Sequence, residues 1–373
     1  MTDPITSALE SLLHECIGDA APGALADYIP ELSRADPSLF GIVLESHEGD
    51  AYAVGDATMP FTIQSISKPF VYALALEELG LDAVDERVGT EPSGEPFNAI
   101  SLEPGTGRPA NPMINAGAIL TTSLVDGGFE RIASGLSAFA GRPLEVDDAV
   151  FESECRTGDR NRAIAHLMRG AGSLTAPVDD VLDAYFRQCS LLVTAADLAM
   201  MAATLANAGR HPVSGAHVVR EDTAQHVLSM MAMCGMYDAA GAWMLRVGLP
   251  AKSGVSGGVM AVSPGQFGIG LFSPLLDAAG NSVRGVLACE RLADRFGLHL
   301  LHDATSGARA AKVLEDGEVI RLRGDIDFAA AELVLRKSVE RGGAPLELDL
   351  SGVTRLHPVA QRLLDAVTPP DPR

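Results

Sequence analysis

The chain has 373 residues, a length typical of two domains, and its 49 acidic against 28 basic residues give a formal net charge of −21. This charge repels nucleic-acid backbones and anionic membrane surfaces, so neither is expected as a partner. No run approaches the roughly 18 to 20 apolar residues of a spanning helix, and the acidic N-terminal segment is unlike a signal peptide, which favours a cytoplasmic protein.

The first part of the chain reads as strands at both ends with helices between them. The early strand-like segments are "LFGIVLES" (39–46) and "AYAVGD" (51–56). A long apolar helical run, "AADLAMMAATLANAG" (195–209), lies in the middle. Strand-like segments return as "GGVMAVSPGQFGIGLFSPLLD" (257–277) and "SVRGVLACERLA" (282–293). Strands from both ends therefore have to meet in one sheet across a helical middle.

The composition changes near residue 305, where "TSGARAA" (305–311) is small, polar and without periodicity. We predict a large domain over 1–304, a linker over 305–311 and a small α/β module over 312–373. The module is expected to contain a hairpin with its turn at Glu315-Asp316-Gly317, a helix "FAAAELVLRKSVERGG", a buried strand "LELDL" and a second helix "VAQRLLDAV".

The stretch "FTIQSISKPF" (61–70) combines a helix start with a candidate catalytic pair. Pro69 is acceptable only in the first turn of a helix, and the apolar run behind it continues to Gly80. Residues three apart share a helix face, so the Lys68 ammonium can reach the Ser65 hydroxyl. Apolar surroundings and a positive helix end disfavour the charged lysine, which would let it act as a general base. A buried helix start with no chemistry is the alternative.

A second segment, "LPAKSGVSGG" (249–258), makes catalysis the favoured interpretation. An early S-x-x-K and a late K-[ST]-G form the arrangement of the serine penicillin-recognising enzymes, in which the late strand borders the site. Here the late motif is Lys252-Ser253-Gly254. The two motifs together are far more specific than either alone.

Three polar clusters in the large domain are open to two interpretations, as parts of a site or as turns and helix caps. They contain Asn111 and Asn115; Glu154, Asp159, Arg160 and Asn161; and Tyr237 and Asp238. Five scattered cysteines without a C-x-x-C pair, and histidines without H-x-x-x-H spacing, argue against a disulfide framework and a metal site. The cysteines are expected to be small core residues.

Taken together, these motifs, with "YIPELS" (28–33) and "MAATLANAG" (201–209), closely resemble the glutaminase family over roughly residues 20 to 295. The resemblance implies an α/β (α+β) fold that is β-lactamase-like or DD-peptidase-like, with an antiparallel sheet and a helical subdomain. It implies hydrolysis of L-glutamine to L-glutamate and ammonia through an acyl-enzyme, without a cofactor or a metal. It also implies a homo-oligomer, either a dimer or a tetramer.

Site roles follow from the same resemblance. Ser65 matches the nucleophile, Lys68 its proton acceptor, and Tyr237 a tyrosine that assists proton transfer. The backbone N–H groups of Val255 and Ser65 match an oxyanion hole. The remaining substrate-binding positions, which join Ser65, Tyr237 and Val255, are Tyr28, Asn115, Glu154, Asn161 and Tyr185. The resemblance gives Ser67 no role.

The tail partly resembles STAS domains of anti-sigma-factor antagonists, through "EVIRLRGDIDFAAAELVLRKSV" and "LELDLSGVTRLHPVAQRLL". His357-Pro358-Val359 stands where those domains carry a serine-containing stretch, and the module is about one strand and one helix short. We expect a truncated module that serves regulation, docking or assembly, with a protein partner of unknown identity. Two rivals remain: a non-catalytic glutamine sensor that signals through the tail, and a penicillin-recognising serine hydrolase, although no Ser-x-Asn triplet is present.

Overall fold

The structure is a computed structural model that describes residues 3–93, 102–301, 312–316 and 319–368. Its helices are α1 Pro4–Asp19, α2 Ser67–Leu79, α3 Leu81–Asp85, α4 Asn115–Leu124, α5 Gly128–Ala140, α6 Asp148–Thr157, α7 Asp159–Ala171, α8 Val178–Cys189, α9 Ala195–Ala206, α10 Glu221–Cys234, α11 Ala240–Arg246, α12 Val283–Phe296, α13 Phe328–Glu340 and α14 Pro358–Val367. Its strands are β1 Gly41–Ser46, β2 Ala51–Gly55, β3 Phe61–Thr62, β4 Leu192–Val193, β5 Ala251–Ser253, β6 Gly258–Ser263, β7 Phe267–Phe272, β8 Lys312–Asp316, β9 Val319–Ile326 and β10 Glu347–Leu356. Short 3₁₀ turns lie at Pro30–Arg34, Gln64–Ile66 and Tyr237–Ala239.

The main sheet joins the two ends of the large domain. Its five strands lie in the order β2-β1-β7-β6-β5, and every neighbouring pair is antiparallel. In the register of β1 with β7, Ile42 lies opposite Leu271. The predicted meeting of early and late strands across a helical middle is therefore confirmed, in a mixed α/β fold.

The two faces of this sheet carry different helices because strand side chains alternate between faces. Ile42 and Leu44 point into a core shared with α1 and α12, whereas Val43 points into a core shared with α2, α9 and α10. Helix α9 lies directly on β7. A Cβ on Gly268 would lie 2.1 Å from the Ala199 carbonyl oxygen, so only glycine permits this approach.

A separate apolar cluster holds the helical part together, with α4, α7 and α8 packed on one another. Ile119, Met168 and Phe186 are among its buried members. Its helices begin or end at the residues that line the candidate site, so this packing fixes where those residues lie.

One strand prediction is wrong, and one predicted strand is present but not buried as predicted. The segment "SVRGVLACERLA" lies in α12, capped by the Ser282 hydroxyl, which accepts from the Gly285 N–H at 3.2 Å. Its buried residues recur at helical spacing, a period that the short apolar run concealed. The segment "LELDL" (346–350) overlaps β10, so the predicted strand is confirmed, but β10 is an edge strand and not a buried one, and Leu350 is 39% exposed.

The C-terminal module is a three-stranded sheet in the order β10-β9-β8, with α13 and α14 packed on each other and on one face. Strand β8 pairs antiparallel and β10 parallel with β9. The Phe328 ring stacks on Phe296 of α12 at 4.5 Å between centroids and lies 5.1 Å from Phe267 of β7. The module thus shares an apolar core with the large domain. The predicted linker (305–311) and Gly317 of the predicted turn lie outside the described residues.

Among the helices of the described ranges, none combines the length and the apolar character needed to cross a membrane.

Candidate active site

Ser65 lies in the 3₁₀ turn Gln64–Ile66, which leads directly into α2. The predicted helix start is therefore present, with Lys68 and Pro69 in the first turn and a C-terminal cap at Gly80. Gln64 has a φ of +50°, a strained value for a residue with a side chain. Strain of this kind persists only where the surroundings hold it, and it often marks a functional site.

Ser67 is part of what holds this turn. Its hydroxyl donates to the Gln64 carbonyl at 2.8 Å and accepts from Gln188 Nε2 at 3.4 Å. Gln188 in turn accepts from the Thr122 hydroxyl at 3.0 Å. All of these side chains are buried. The serine without a predicted role therefore ties the strained turn to α4 and α8.

Lys68 is almost completely buried, and two neutral oxygens meet its amine. Nζ donates to Asn115 Oδ1 at 2.7 Å and to the Met113 carbonyl at 3.3 Å. Burial lowers the pKa of Lys68 to about 8, because the charged form loses its hydration. A neutral amine has two N–H donors and one lone pair, so these two acceptors leave the lone pair to face a third group.

Tyr237 approaches from the opposite side, in a 3₁₀ turn after α10, with a φ of +56°. Its hydroxyl donates to the Ser253 carbonyl at 3.0 Å and is also hydrogen-bonded to the Ser65 side chain. Burial raises the pKa of Tyr237 to about 12, so the phenol is protonated at neutral pH. Strand β5 and the Ser65 turn are thereby connected through one tyrosine.

Val255 follows β5 and is buried. Gly254, directly before it, lies against the Ser65 turn: a Cβ there would be 3.0 Å from the Ile63 carbonyl oxygen and 3.4 Å from Gln64 Cβ. Within the described part of the chain, the Val255 N–H has no hydrogen-bond acceptor. A free backbone N–H beside the Ser65 turn is the kind of donor that an oxyanion hole requires.

A cleft of about 590 Å³, including its open mouth, lies over Ser65. Its walls come from the Ser65 turn, the segment before Pro30 and the helices α4, α6, α7 and α8. The lining residues are Tyr28, Ile29, Gln64, Ser65, Asn115, Glu154, Thr157, Gly158, Arg160, Asn161, Tyr185 and Cys189.

Asn115 links the lysine to the cleft wall. Its Oδ1 accepts from Lys68, and its Nδ2 donates to Asn161 Oδ1 at 2.9 Å. Asn161 lies in the first turn of α7, directly after Gly158 joins it to α6. One chain of hydrogen bonds therefore runs from Lys68 to the residues that face the cleft.

Glu154 is a buried carboxylate with one oxygen left without a partner. Its Oε1 has no hydrogen bond in the described residues, while its side chain is hydrogen-bonded to Gln64. Burial raises the pKa of Glu154 to about 7, against the lowering effects of Gln64 and Lys68. An unpaired buried oxygen in a cleft is costly unless a ligand supplies a donor.

Two tyrosines complete the cleft. Tyr185 on α8 is buried, and burial raises its pKa well above the usual value. Tyr28 is 51% exposed as a residue, yet its phenol lies among Tyr237, Glu154 and Cys189, and burial of that end raises its pKa as well. Both phenols therefore remain neutral hydrogen-bonding groups.

Not every polar cluster of the sequence belongs to the cleft. Asn111 caps the turn before α4, where its Oδ1 accepts from the N–H groups of Met113 and Ile114. Asp159 is exposed at the start of α7 and pairs with Arg162 at 3.6 Å. The cap-and-turn interpretation is correct for Asn111, whereas Asp159 makes a surface ion pair and caps none of the described helices.

The sequence reasoning missed two residues that line the cleft and whose side chains could take part in binding or catalysis, Gln64 and Cys189. The first is adjacent to Ser65, a signal that could have identified it. The second resembles any small core residue, and four of the five cysteines are indeed buried. No group of three or more His, Cys, Asp or Glu side chains suited to a metal ion occurs in the described residues.

Comparisons of this chain with protein families, curated proteins and solved structures all find similar proteins. The glutaminase family model matches residues 23–301. Glutaminase 2 of Bradyrhizobium diazoefficiens is 55% identical over 304 residues, which is 80% of this chain and 48% of that protein. The chain thus spans about half the length of that curated relative.

Other relatives match almost from end to end. The glutaminase of Corynebacterium glutamicum is 44% identical over 98% of this chain and 91% of its own length. A crystal structure of Mglu in its glutamate form superposes with a TM-score of 0.78 at 40% identity, covering 98% of this chain and 95% of that one. Both matches extend through the C-terminal module.

Proposed function

We propose that this chain, which belongs to the glutaminase family, hydrolyses L-glutamine to L-glutamate and ammonia through an acyl-enzyme on Ser65. One observation carries the proposal: a hydroxyl and a buried lysine with a lowered pKa share one turn beneath a cleft that holds a buried carboxylate. Activated hydroxyls of this kind attack carbonyl carbons. A glutamate-bound form of the similar Mglu supports an amino acid of this size in the cleft.

In the acylation step, Ser65 Oγ attacks the side-chain amide carbon of glutamine while its proton passes to the neutral Lys68 amine. The tetrahedral intermediate then collapses, the C–N bond breaks, and the proton is returned to the leaving nitrogen. Tyr237 lies against Ser65 and relays this proton. Ammonia leaves, and a glutamyl ester remains on Ser65.

In the deacylation step, water attacks the ester carbonyl and gives a proton to Lys68. The C–O bond breaks, Ser65 Oγ takes that proton back, and glutamate is released. One water is consumed for each ammonia formed, and no cofactor enters. The N–H groups of Val255 and Ser65 stabilise the oxyanion in both steps, an effect typically worth a few kcal/mol.

Substrate recognition follows from charge and hydrogen bonding. The free Oε1 of Glu154 accepts from the α-ammonium of the substrate. Asn161 and Tyr185 donate to its α-carboxylate, and Tyr28 and Asn115 complete the enclosure. The buried lysine base supports catalysis over a glutamine-sensing role, since binding alone needs neither a nucleophile nor a base.

Three further properties belong to the same proposal. The C-terminal module is a truncated STAS-like unit that serves docking or assembly, supported by its small α/β architecture. The protein acts in the cytoplasm, and it forms a dimer or a tetramer. Size-exclusion chromatography with light scattering tests the last of these.

The activity is tested by ammonia release from L-glutamine in wild type and in Ser65→Ala, with Ser229→Ala on the exposed side of α10 as the matched control. Ser65→Ala should lose activity by at least about 10³-fold. Its thermal transition and the activity of the control should stay unchanged. Full activity in Ser65→Ala would overturn the mechanism, and equally fast hydrolysis of L-asparagine would overturn the substrate.

A further inference from the structure

Lys252 is a second buried lysine near the catalytic groups, and the proposed steps do not use it. It lies on β5 with no exposed surface. Its Nζ donates to the Ser253 carbonyl at 2.7 Å and lies 3.9 Å from the centroid of the Tyr237 ring. An amine N–H over an aromatic face makes a weak attractive contact with the ring, whether or not the amine is charged.

The same carbonyl accepts from the Tyr237 hydroxyl at 3.0 Å. A carbonyl oxygen has two lone pairs, so Lys252 and Tyr237 together fill both. A phenol has one proton. That proton is donated to Ser253, while the phenol oxygen also lies within hydrogen-bonding reach of the Ser65 side chain.

The carbonyl that receives these donors is itself firmly placed. Strand β5 is at the edge of the main sheet, where backbone groups on the open side lack a neighbouring strand. The Ser253 hydroxyl donates to the buried Asn281 Oδ1 at 2.5 Å. Gly235, just before the Tyr237 turn, lies so close to this strand that a Cβ would be 1.8 Å from the Ala251 carbonyl oxygen.

Tyr237, by contrast, has a strained backbone, with a φ of +56°. Strained residues keep their conformation only through their contacts. The described contacts of its ring and hydroxyl include the Lys252 amine, the Ser253 carbonyl and Ser65. The first of these is the Lys252 amine itself, and the second is a carbonyl that accepts from both side chains.

We propose that Lys252 is a positioning residue for Tyr237: it packs on the tyrosine ring and shares the fixed Ser253 carbonyl with the hydroxyl, and so keeps the phenol oxygen on Ser65 during turnover. This inference rests on the proposed serine mechanism. Lys252 exchanges no proton with the substrate and does not touch it. Its loss should therefore lower kcat and leave KM nearly unchanged, because the cleft residues that hold the substrate are intact.

A double-mutant cycle separates this role from a merely structural one. The variants are Lys252→Met, Tyr237→Phe and the pair, assayed with L-glutamine near pH 9, above the lowered pKa of Lys68. Lys252→Met should reduce kcat by roughly 10 to 10²-fold, the cost of a misplaced catalytic group. KM should change by less than about threefold. In the Tyr237→Phe background, Lys252→Met should have almost no further effect.

An equal loss in both backgrounds, or an unchanged kcat in Lys252→Met, would overturn the inference. If Lys252→Met does not fold, Lys252→Leu, which also removes the amine, is compared in the same two backgrounds by the same criterion. The outcomes are also distinct from failure of the proposed function. An inactive wild type rejects the glutaminase activity, whereas an active wild type with additive losses rejects only the role of Lys252.

Discussion

The Ser65 turn and the C-terminal module meet the rest of the molecule in different ways. At the turn, buried polar side chains have specific partners, as in the contacts of Ser67 with Gln64 and of Lys68 with Asn115. The module instead uses the apolar Phe328 and a cluster of charges. There, Arg336 donates to Asp50 at 2.8 Å, and the Tyr52 hydroxyl donates to Glu332 at 2.8 Å.

This difference predicts different consequences of mutation. Hydrogen bonds at the turn fix the positions of a few atoms, so their loss should affect the reaction rate. Apolar contacts at the module bury area, so their loss should affect the free energy of unfolding.

Lys68→Met should abolish most of the activity, because it removes the proton acceptor while retaining the length of the side chain. General-base catalysis typically contributes about 10² to 10⁴-fold, and kcat for L-glutamine should fall by that factor. Lys337→Met on α13 of the module is the matched control and should change kcat by less than about twofold. A similar loss in both variants would contradict the distinction between the two regions.

Phe328→Ala should lower the free energy of unfolding and leave the rate of catalysis almost unchanged. The buried ring contacts Phe296 and Phe267 across the boundary with the large domain. Its removal should cost about 3 to 5 kcal/mol in the free energy of unfolding, measured by denaturant titration. At low temperature, kcat should remain within about twofold of wild type.

Val339→Ala, at a position on the same helix that is 68% exposed, is the control for that measurement and should be nearly neutral. A large loss of kcat in folded Phe328→Ala would show that the module influences the catalytic turn. It would then support a regulatory role for the module over a purely structural one.

The dependence of kcat/KM on pH tests the proposed roles of Lys68 and Glu154. Lys68 must be neutral to accept a proton, and with a pKa of about 8 its neutral fraction rises with pH through that value. Glu154 must be ionised to bind the substrate ammonium, and with a pKa of about 7 its ionised fraction also rises with pH. Both signs agree, so kcat/KM should rise from pH 6 to 9, by about tenfold per unit between the two pKa values and by up to about a hundredfold per unit below pH 7, where both groups become protonated.

In Glu154→Gln, the dependence of kcat/KM on pH should lose the ionisation near pH 7 and keep the ionisation of Lys68 near pH 8. A profile that falls between pH 6 and 8 in the wild type would contradict the roles of both groups.

The sequence predicted much of the fold because the informative signals are local. The spacing of Ser65 and Lys68 before Pro69 identified the turn, and the strand-like segments at both ends of the large domain identified the sheet. Local patterns gave wrong predictions where a short apolar run is compatible with both a strand and a helix. In α12, the apolar run over residues 286–289 concealed the helical spacing of the buried residues around it, and the apolar residues of β10 do not distinguish an edge strand from a buried one.

Contacts between residues that are far apart in the sequence could not be predicted from local patterns. The contact of Ser67 with Gln188 joins residues 121 positions apart, and Lys252 meets Tyr237 only because β5 packs beside the turn after α10. The strained φ of Gln64 and the raised pKa of Glu154 are likewise consequences of tertiary burial.

The central claim is that Ser65 carries the glutamyl group. It is tested most directly by acid-quenching the enzyme during turnover of L-glutamine and mapping the covalent adduct by peptide mass spectrometry. The account predicts a glutamyl ester on the peptide that contains Ser65, and no adduct in Ser65→Ala. A glutamyl group on Cys189, the other nucleophile that lines the cleft, together with unchanged ammonia release in Ser65→Ala, would contradict it.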